Sequence, residues 1–156
     1  MSPAPLISFT IDCPRSGNSL LRSHWGSRGH ARKVIYESVL CAVRQCTRWE
    51  SATLHPTLPG VRRRVVFTRG VGIVQNAPTA KRSGSHPTNF ADHDGMVSGL
   101  KYVLDSLLLW KLHRPGVGLL YDDAPEWLVS EYLQDDSGAV PAGKLLIEIF
   151  ECEANL

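Results

Sequence analysis

The spacing of apolar residues along the chain predicts short strands separated by helices. Near-alternation of apolar or β-branched residues with polar ones is typical of half-buried strands. This pattern occurs in four segments, residues 6–12, 61–67, 126–133 and 144–151. A further short apolar run at 117–121 predicts a strand that ends directly before two aspartates.

Two longer segments carry apolar residues at helical spacing, which predicts two main helices. The first covers residues 31–49, and the second covers residues 95–110 with Asp94 as its expected N-cap. Loops rich in glycine, proline and polar residues are expected at 15–29, 51–60 and 75–88. The order of elements predicts an α/β (α+β) fold, in which one mixed β-sheet packs against two main helices.

Length and composition are those of one ordinary globular domain. The 156 residues are 43% hydrophobic and 21% charged, so we expect a single domain over residues 1–156. No apolar run approaches the roughly 20 residues of a membrane helix, and no secretory signal pattern opens the chain. We therefore expect a cytoplasmic protein without a membrane partner. The four cysteines lack the spacing of a zinc site.

Charge is distributed very unevenly along the chain. Residues 1–90 hold 13 Lys/Arg and 3 Asp/Glu, a balance of +10, whereas residues 91–156 hold 4 and 12, a balance of −8. Basic surfaces bind phosphate backbones, and clustered carboxylates bind hard cations. The asymmetry favours a nucleic-acid partner for the first part and metal chemistry for the second.

Basic and aromatic side chains of the first part are the candidates for DNA contact. The expected loop 15–29 combines cationic and aromatic groups suited to phosphate contact and base stacking, although Trp25 could equally cover the edge of the core. Alternation in the second strand places Arg62 and Arg64 on one face and Arg63 on the other. The predicted DNA-binding residues are Arg22, Trp25, Arg28, Arg62, Arg64, Lys81 and Arg82.

The strongest candidate for chemistry lies in the acidic part, where five carboxylates accompany Lys101 within 32 residues. An extended segment over 89–94 would point Asp92 and Asp94 in the same direction. Helical spacing then places Lys101 and Asp105 on the face that holds Asp94. Each feature alone has a simpler interpretation, such as an N-cap, a surface ion pair or a turn. Together, the residues indicate magnesium-dependent phosphodiester chemistry.

The order of these motifs resembles the RusA-type Holliday junction resolvases (crossover junction endodeoxyribonucleases) of bacteria and their phages. That family has a D-x-D-N motif, a helix with a lysine followed by D-x-L, and a downstream aspartate pair. The corresponding residues here are Asp92-His93-Asp94-Gly95, Lys101 to Leu107 and Asp122-Asp123. The opening LISFTID and closing KLLIEIFE segments are also similar. Gly95 stands where the family usually has asparagine.

The resemblance implies a RusA-like fold and a homodimer that cuts four-way DNA junctions symmetrically in recombination and repair, with Mg²⁺ (or Mn²⁺ in its place) as cofactor. It assigns Asp92, Asp94, Lys101 and Asp123 to catalysis. The implied metal ligands are Asp92, Asp94 and Asp123, with Asp122 and Asp105 as second choices. Two alternatives stay open, a DNA-binding accessory protein without activity and a nuclease for other branched DNA.

Overall fold

The structure, a computed structural model, describes residues 2–14, 25–54, 61–72 and 92–152, with the backbone alone for 25–27. A four-stranded mixed sheet forms its centre. The strands are β1 (Ile7–Asp12), β2 (Arg63–Gly70), β3 (Leu128–Asp135) and β4 (Lys144–Glu151), in the order β1-β4-β2-β3. Strand β4 pairs antiparallel with both β1 and β2, whereas β2 and β3 run parallel. The mixed α/β fold predicted from the sequence is confirmed.

Alternating burial along the strands gives the sheet its core face. In β1 every second residue is buried, and the same pattern continues on β4. Phe9 of β1 lies opposite Ile147 of β4, which in turn lies opposite Phe67 of β2, so the three side chains form a continuous apolar row. Burial of such side chains is the main stabilising contribution to a domain of this size.

Four helices accompany the sheet in the described part of the chain. They are α1 (Trp25–Arg44), α2 (Trp49–Ala52), α3 (His93–Gly99) and α4 (Lys101–Leu107). Helix α1 begins six residues before the predicted start at 31, so residues 25–29 are helical and the prediction of a loop there is wrong. Glycines in this segment disfavour a helix by about 1 kcal/mol each. Packing of α1 against β1 and α4 outweighs that preference.

The single helix predicted over 95–110 is two shorter helices. Leu100 separates α3 from α4 with backbone angles of φ −96° and ψ 4°, and its side chain is buried. Helix α4 then ends at Leu107, and Leu108 is already extended. The apolar spacing continued across the break because residues on both sides of Leu100 pack into the same core.

The segment 117–121 was predicted to form a strand, but its residues 117–120 complete the end of α4 instead. The last carbonyls of a helix have no partner within the helix. Here the carbonyl of Ser106 accepts from the amide of Val117, and that of Leu107 accepts from Leu119 and Leu120. An isolated bridge joins Leu108 and Leu120, and neither residue belongs to the sheet.

Arg63 is a buried cation that ties three elements together. Its Nη1 donates to the carbonyl of Ala52 at 2.6 Å and to that of Leu119 at 2.7 Å. Burial lowers the pKa of this guanidinium, and Glu151, at 3.9 Å, partly offsets the effect. The predicted alternation is thus confirmed for Arg63, which points into the protein.

The helices of the described segments are all too short or too polar to cross a lipid bilayer.

Candidate active site around Lys101

Asp92 marks the entry to the acidic cluster as the N-cap of α3. Its backbone is extended, with φ −68° and ψ 166°, and its Oδ1 accepts a 2.7 Å hydrogen bond from the amide of Gly95. Satisfying an amide of the first turn in this way is the usual role of a capping aspartate. Asp94 was the predicted N-cap; the cap lies two residues earlier, and Asp94 is an exposed residue of the first turn.

The expected convergence of Asp92 and Asp94 through strand geometry is therefore wrong. His93 and Asp94 are helical, so the two carboxylates leave the backbone about 200° apart around a helix axis rather than in parallel. Both carboxylates are exposed at the same helix end. The partial positive charge of that end stabilises them.

Lys101 lies between two carboxylates. Its ammonium is 2.9 Å from Oδ1 of Asp105, one turn further along α4, and 3.2 Å from Oδ2 of Asp123. Lys101 donates a hydrogen bond to Asp123. Oδ1 of Asp105 is close enough for an ion pair, but it accepts no hydrogen bond. Asp105 is only 5% exposed, whereas the Lys101 side chain is half exposed.

The return segment after α4 delivers Asp123 to this position. Residues 117–120 bond to the carboxyl end of α4, and the chain then continues back along the helix. At the end of this path, Oδ1 of Asp122 accepts a 2.8 Å hydrogen bond from the amide of Asp123. That contact fixes the turn, leaves Asp123 exposed and directs it at Lys101.

The electrostatics of the pair follow from these contacts. Burial by itself would lower the pKa of Lys101, but the close carboxylate of Asp105 and the hydrogen bond and charge of Asp123 exceed that effect and raise the pKa. The hydrogen bond from Lys101 is the main reason that the pKa of Asp123 is lowered. The lysine is therefore an ammonium, and Asp123 a carboxylate, throughout the neutral range.

An aromatic stack supports the other side of the cluster. The His93 ring meets the edge of Tyr132 with centroids 6.0 Å apart, and Tyr132 stacks on Phe67 at 5.4 Å. These contacts connect the first turn of α3 to strands β3 and β2. They hold the helix end that carries Asp92 against the sheet.

The predicted DNA-binding residues are dispersed. Arg28 lies in α1, as does the backbone of Trp25, so these two positions do not form the expected loop. Arg64 bonds to Glu131 at 3.1 Å and lies over the ring of Phe150, with 4.5 Å from its Cζ to the centroid. Arg62 is half-buried with its Nε buried and without a hydrogen-bond partner. Three further predicted residues lie outside the described segments: Arg22, Lys81 and Arg82.

Two features of the site were not found from the sequence. Asp105 was placed on an exposed face, but it is buried, as are its neighbours Leu104 and Ser106 in α4. The four-residue spacing to Lys101 was the available signal for the contact. The basic and aromatic turn at 110–114 was also not assigned, although its composition, WKLHR, resembles the patches selected elsewhere.

The donor chemistry of the cluster suits Mg²⁺, because every candidate ligand is a carboxylate. A metal site also requires that the carboxylates lie close together. Within residues 92–152, and in the other described segments, no three His, Cys, Asp or Glu side chains are grouped as metal ligands. The structure thus brings Lys101 together with Asp105 and Asp123, and does not bring Asp92, Asp94 and Asp123 together.

Comparison of the chain with protein-family models, with curated proteins and with solved structures gave no match. The resemblance to RusA-type resolvases rests on the sequence motifs described above.

Proposed function

We propose that this protein is a Mg²⁺-dependent endodeoxyribonuclease of RusA type that resolves four-way DNA junctions as a homodimer. The observation that carries the proposal is the ammonium of Lys101 held between Asp105 and Asp123, in a chain whose sequence places Asp92 and Asp94 just upstream. A cation held beside the exposed carboxylate of Asp123 is an arrangement expected where negative charge builds up on a phosphate.

The chemistry is hydrolysis of one phosphodiester bond. A water oxygen bonds to phosphorus, the bond to one sugar oxygen breaks, and that oxygen leaves with a proton. Lys101 would stabilise the additional charge on the phosphate, since its raised pKa keeps it protonated. The resemblance assigns Asp92, Asp94 and Asp123, with Asp122 as a further ligand, to a metal that would supply polarisation of the phosphate and an activated water. The described segments do not group these carboxylates as a ligand set.

The partner follows from charge and symmetry. The balance of +10 over residues 1–90 suits contact with DNA backbones. A four-way junction has approximate twofold symmetry, so a twofold dimer would present two acidic clusters for two matched cuts. The expected place of action is the cytoplasm of a bacterium or an infected bacterial cell.

A synthetic four-way junction tests the proposal directly. We expect paired, symmetric nicks with Mg²⁺ and none with EDTA, with a matched linear duplex left intact. Preferential cutting of a flap or a single strand would mean that the natural substrate is that DNA structure and not the four-way junction. Absence of cutting on all substrates at any Mg²⁺ or Mn²⁺ concentration would contradict the proposal.

One alternative has structural support of its own. Asp92 serves as a helix cap, and Asp105 and Asp123 are both engaged by Lys101, so these carboxylates have roles that stabilise the fold. A DNA-binding protein without nuclease activity needs no more than that. Tight junction binding without cleavage, in the same assay, would favour this alternative.

A further inference from the structure

A row of basic and aromatic side chains follows the contact between α1 and α4, on the way from Lys101 to the turn at 110–114. We call it the seam surface, and its residues are Arg28, Arg32, Tyr36, Tyr102, Trp110 and Lys111. Of this set, only Arg28 is among the DNA-binding residues predicted from the sequence. The other five residues form one surface only because α1 packs beside α4.

Two side-chain contacts establish the direction of the seam surface. The guanidinium of Arg32 lies 4.8 Å from the ring centroid of Tyr102, the residue that follows Lys101. One turn further along α1, Tyr36 meets Trp110 edge-on with centroids 6.1 Å apart and an angle of 72°. The row on α1 therefore runs along α4 from the Lys101 end to the turn.

The turn itself is well defined and carries exposed apolar groups. Lys111 and Arg114 exchange two backbone hydrogen bonds of 3.0 Å, which close the tip at Leu112 and His113. Trp110 is 63% exposed and Leu112 is 86% exposed, more than any other large apolar residue of the described segments. Exposure of such groups on a hydrogen-bonded turn is typical of a binding surface.

The cations of the seam surface, and Arg114 in the adjoining turn, have no ion pair within the described segments. None of the ion pairs found there involves Arg28, Arg32, Lys111 or Arg114. The Nε atoms of Arg28, Arg32 and Arg114 are buried without a hydrogen-bond partner. A ligand that supplies both anionic groups and flat apolar faces would satisfy this surface, and nucleotides have that combination.

We propose that the seam surface binds unpaired nucleotides on either side of the phosphate at Lys101, with a base stacked on Trp110. Only unpaired nucleotides offer a free ring face, since paired bases stack on their neighbours. Helix α4, along which the seam surface runs, spans seven residues, about 10 Å. The placement of a phosphate at Lys101 comes from the proposed function, and this part of the inference rests on it.

Binding of a fluorescent 12-nucleotide dT oligomer, measured by anisotropy in EDTA, tests the inference without any cleavage. We expect Trp110→Ala to weaken binding about 5- to 100-fold, and Leu112→Ser to weaken it severalfold. Trp110→Phe retains a ring and should stay within about threefold of the wild type. Leu133→Ser changes an exposed apolar residue of β3, 49% exposed, and serves as the matched control with unchanged binding.

Three results would overturn the inference. The first is unchanged affinity of Trp110→Ala, with circular dichroism showing that it is folded. The second is equal competition against the fluorescent oligomer by unlabelled dT and by polyglutamate of the same charge. That result would show that the surface binds any polyanion and does not recognise nucleotides. The third is loss of a wild-type dimer in Trp110→Ala and Leu112→Ser by sedimentation, which would assign the turn to a second copy of this chain.

The outcome is separable from that of the proposed function. If the oligomer binds as expected but junctions are never cut, the nuclease proposal fails and the seam surface stands. If junctions are cut while Trp110→Ala binds the oligomer like the wild type, only the seam inference fails.

Discussion

The carboxylate of Asp92 and the Cα of Gly95 are in such close contact that no side chain fits between them. Oδ1 of Asp92 accepts a 2.7 Å hydrogen bond from the Gly95 amide, and a Cβ at position 95 would lie 2.6 Å from that same oxygen. Gly95, which has no side chain, thus permits this capping geometry. It also fixes the position of one candidate metal ligand.

Replacing Gly95 with alanine should displace the Asp92 carboxylate and break the cap. We expect the free energy of unfolding to fall by about 0.5–2 kcal/mol, the usual effect of losing an N-cap, as measured by urea denaturation. Gly29→Ala is the matched control, because it lies inside α1 with no atom within 4 Å of the added Cβ. It should raise stability by about 0.5–1 kcal/mol. Equal effects of the two substitutions would contradict the capping role.

Removing the charge of Lys101 should leave Asp105 buried without a cation. We expect Lys101→Met to lower the free energy of unfolding by about 1–3 kcal/mol. The value stays below that of a fully buried pair because Lys101 is half exposed. The double variant Lys101→Met, Asp105→Asn should recover part of this loss. If the two effects were simply additive in a double-mutant cycle, the side chains would not interact.

The contribution of the Lys101–Asp123 pair should depend on pH in a defined way. Asp123 has a lowered folded pKa, so its contribution is complete above its unfolded pKa of about 4 and is lost as pH falls through the folded value. Lys101 has a raised folded pKa, so its contribution is complete below about 10.5 and is lost as pH rises through the folded value. Thermal unfolding of the wild type and Asp123→Asn should differ most between these limits and converge in acid. A constant difference down to pH 2 would exclude the pair as its source.

Cleavage should require the exposed carboxylates but binding should not. We expect Asp92→Asn, Asp94→Asn and Asp123→Asn each to abolish junction cutting in Mg²⁺, with junction affinity retained in a gel-shift assay. Asparagine caps helices about as well as aspartate, so Asp92→Asn tests chemistry with the cap preserved. Cutting by one of these variants at the wild-type rate would remove that residue from the proposed site.

Lys101→Ala belongs to the same series but should be slow rather than inactive. We expect the barrier to rise by about 2–4 kcal/mol, the usual effect of removing one well-placed cation or donor. Single-turnover cleavage at saturating protein separates this effect from weaker binding.

Arg63 should contribute far more to stability than its neighbour Arg64. Arg63→Met leaves the carbonyls of Ala52 and Leu119 without their donor in the interior, which we expect to cost about 2–4 kcal/mol. Arg64→Met loses a half-exposed ion pair and a ring contact, worth about 1 kcal/mol. The comparison uses the same substitution on adjacent residues, and a reversed order would contradict the assigned role of Arg63.

Much of the sheet could be predicted because a strand with one buried face has a short, strict period. Residues 144–151 were predicted with the bounds that the structure gives to β4, and 6–12 differs from β1 by one residue. The alternation of side chains along a strand also predicted that Arg63 lies on the face opposite to Arg62 and Arg64. These features depend on local spacing, which the sequence displays directly.

Boundaries of the helices were harder to predict because apolar spacing reports burial and not hydrogen bonding. Leu100 lies in register with the stripe on both sides, so nothing in the pattern marks the break there. The capping preference of Asp92 and Asp94 is the same by residue type. Which of them caps α3 depends on where the helix starts.

By itself, the sequence determined the mixed α/β class, the four strands of the sheet, the uneven distribution of charge and the set of carboxylates that accompany Lys101. Only the tertiary structure decided that Asp105 is buried and that Asp123 returns to Lys101 from a segment bonded to the end of α4. It also decided that Arg32 and Tyr36 lie along α4 toward Trp110. Such contacts join residues far apart in the chain, and no local period encodes them, because they follow from how separately predicted elements pack.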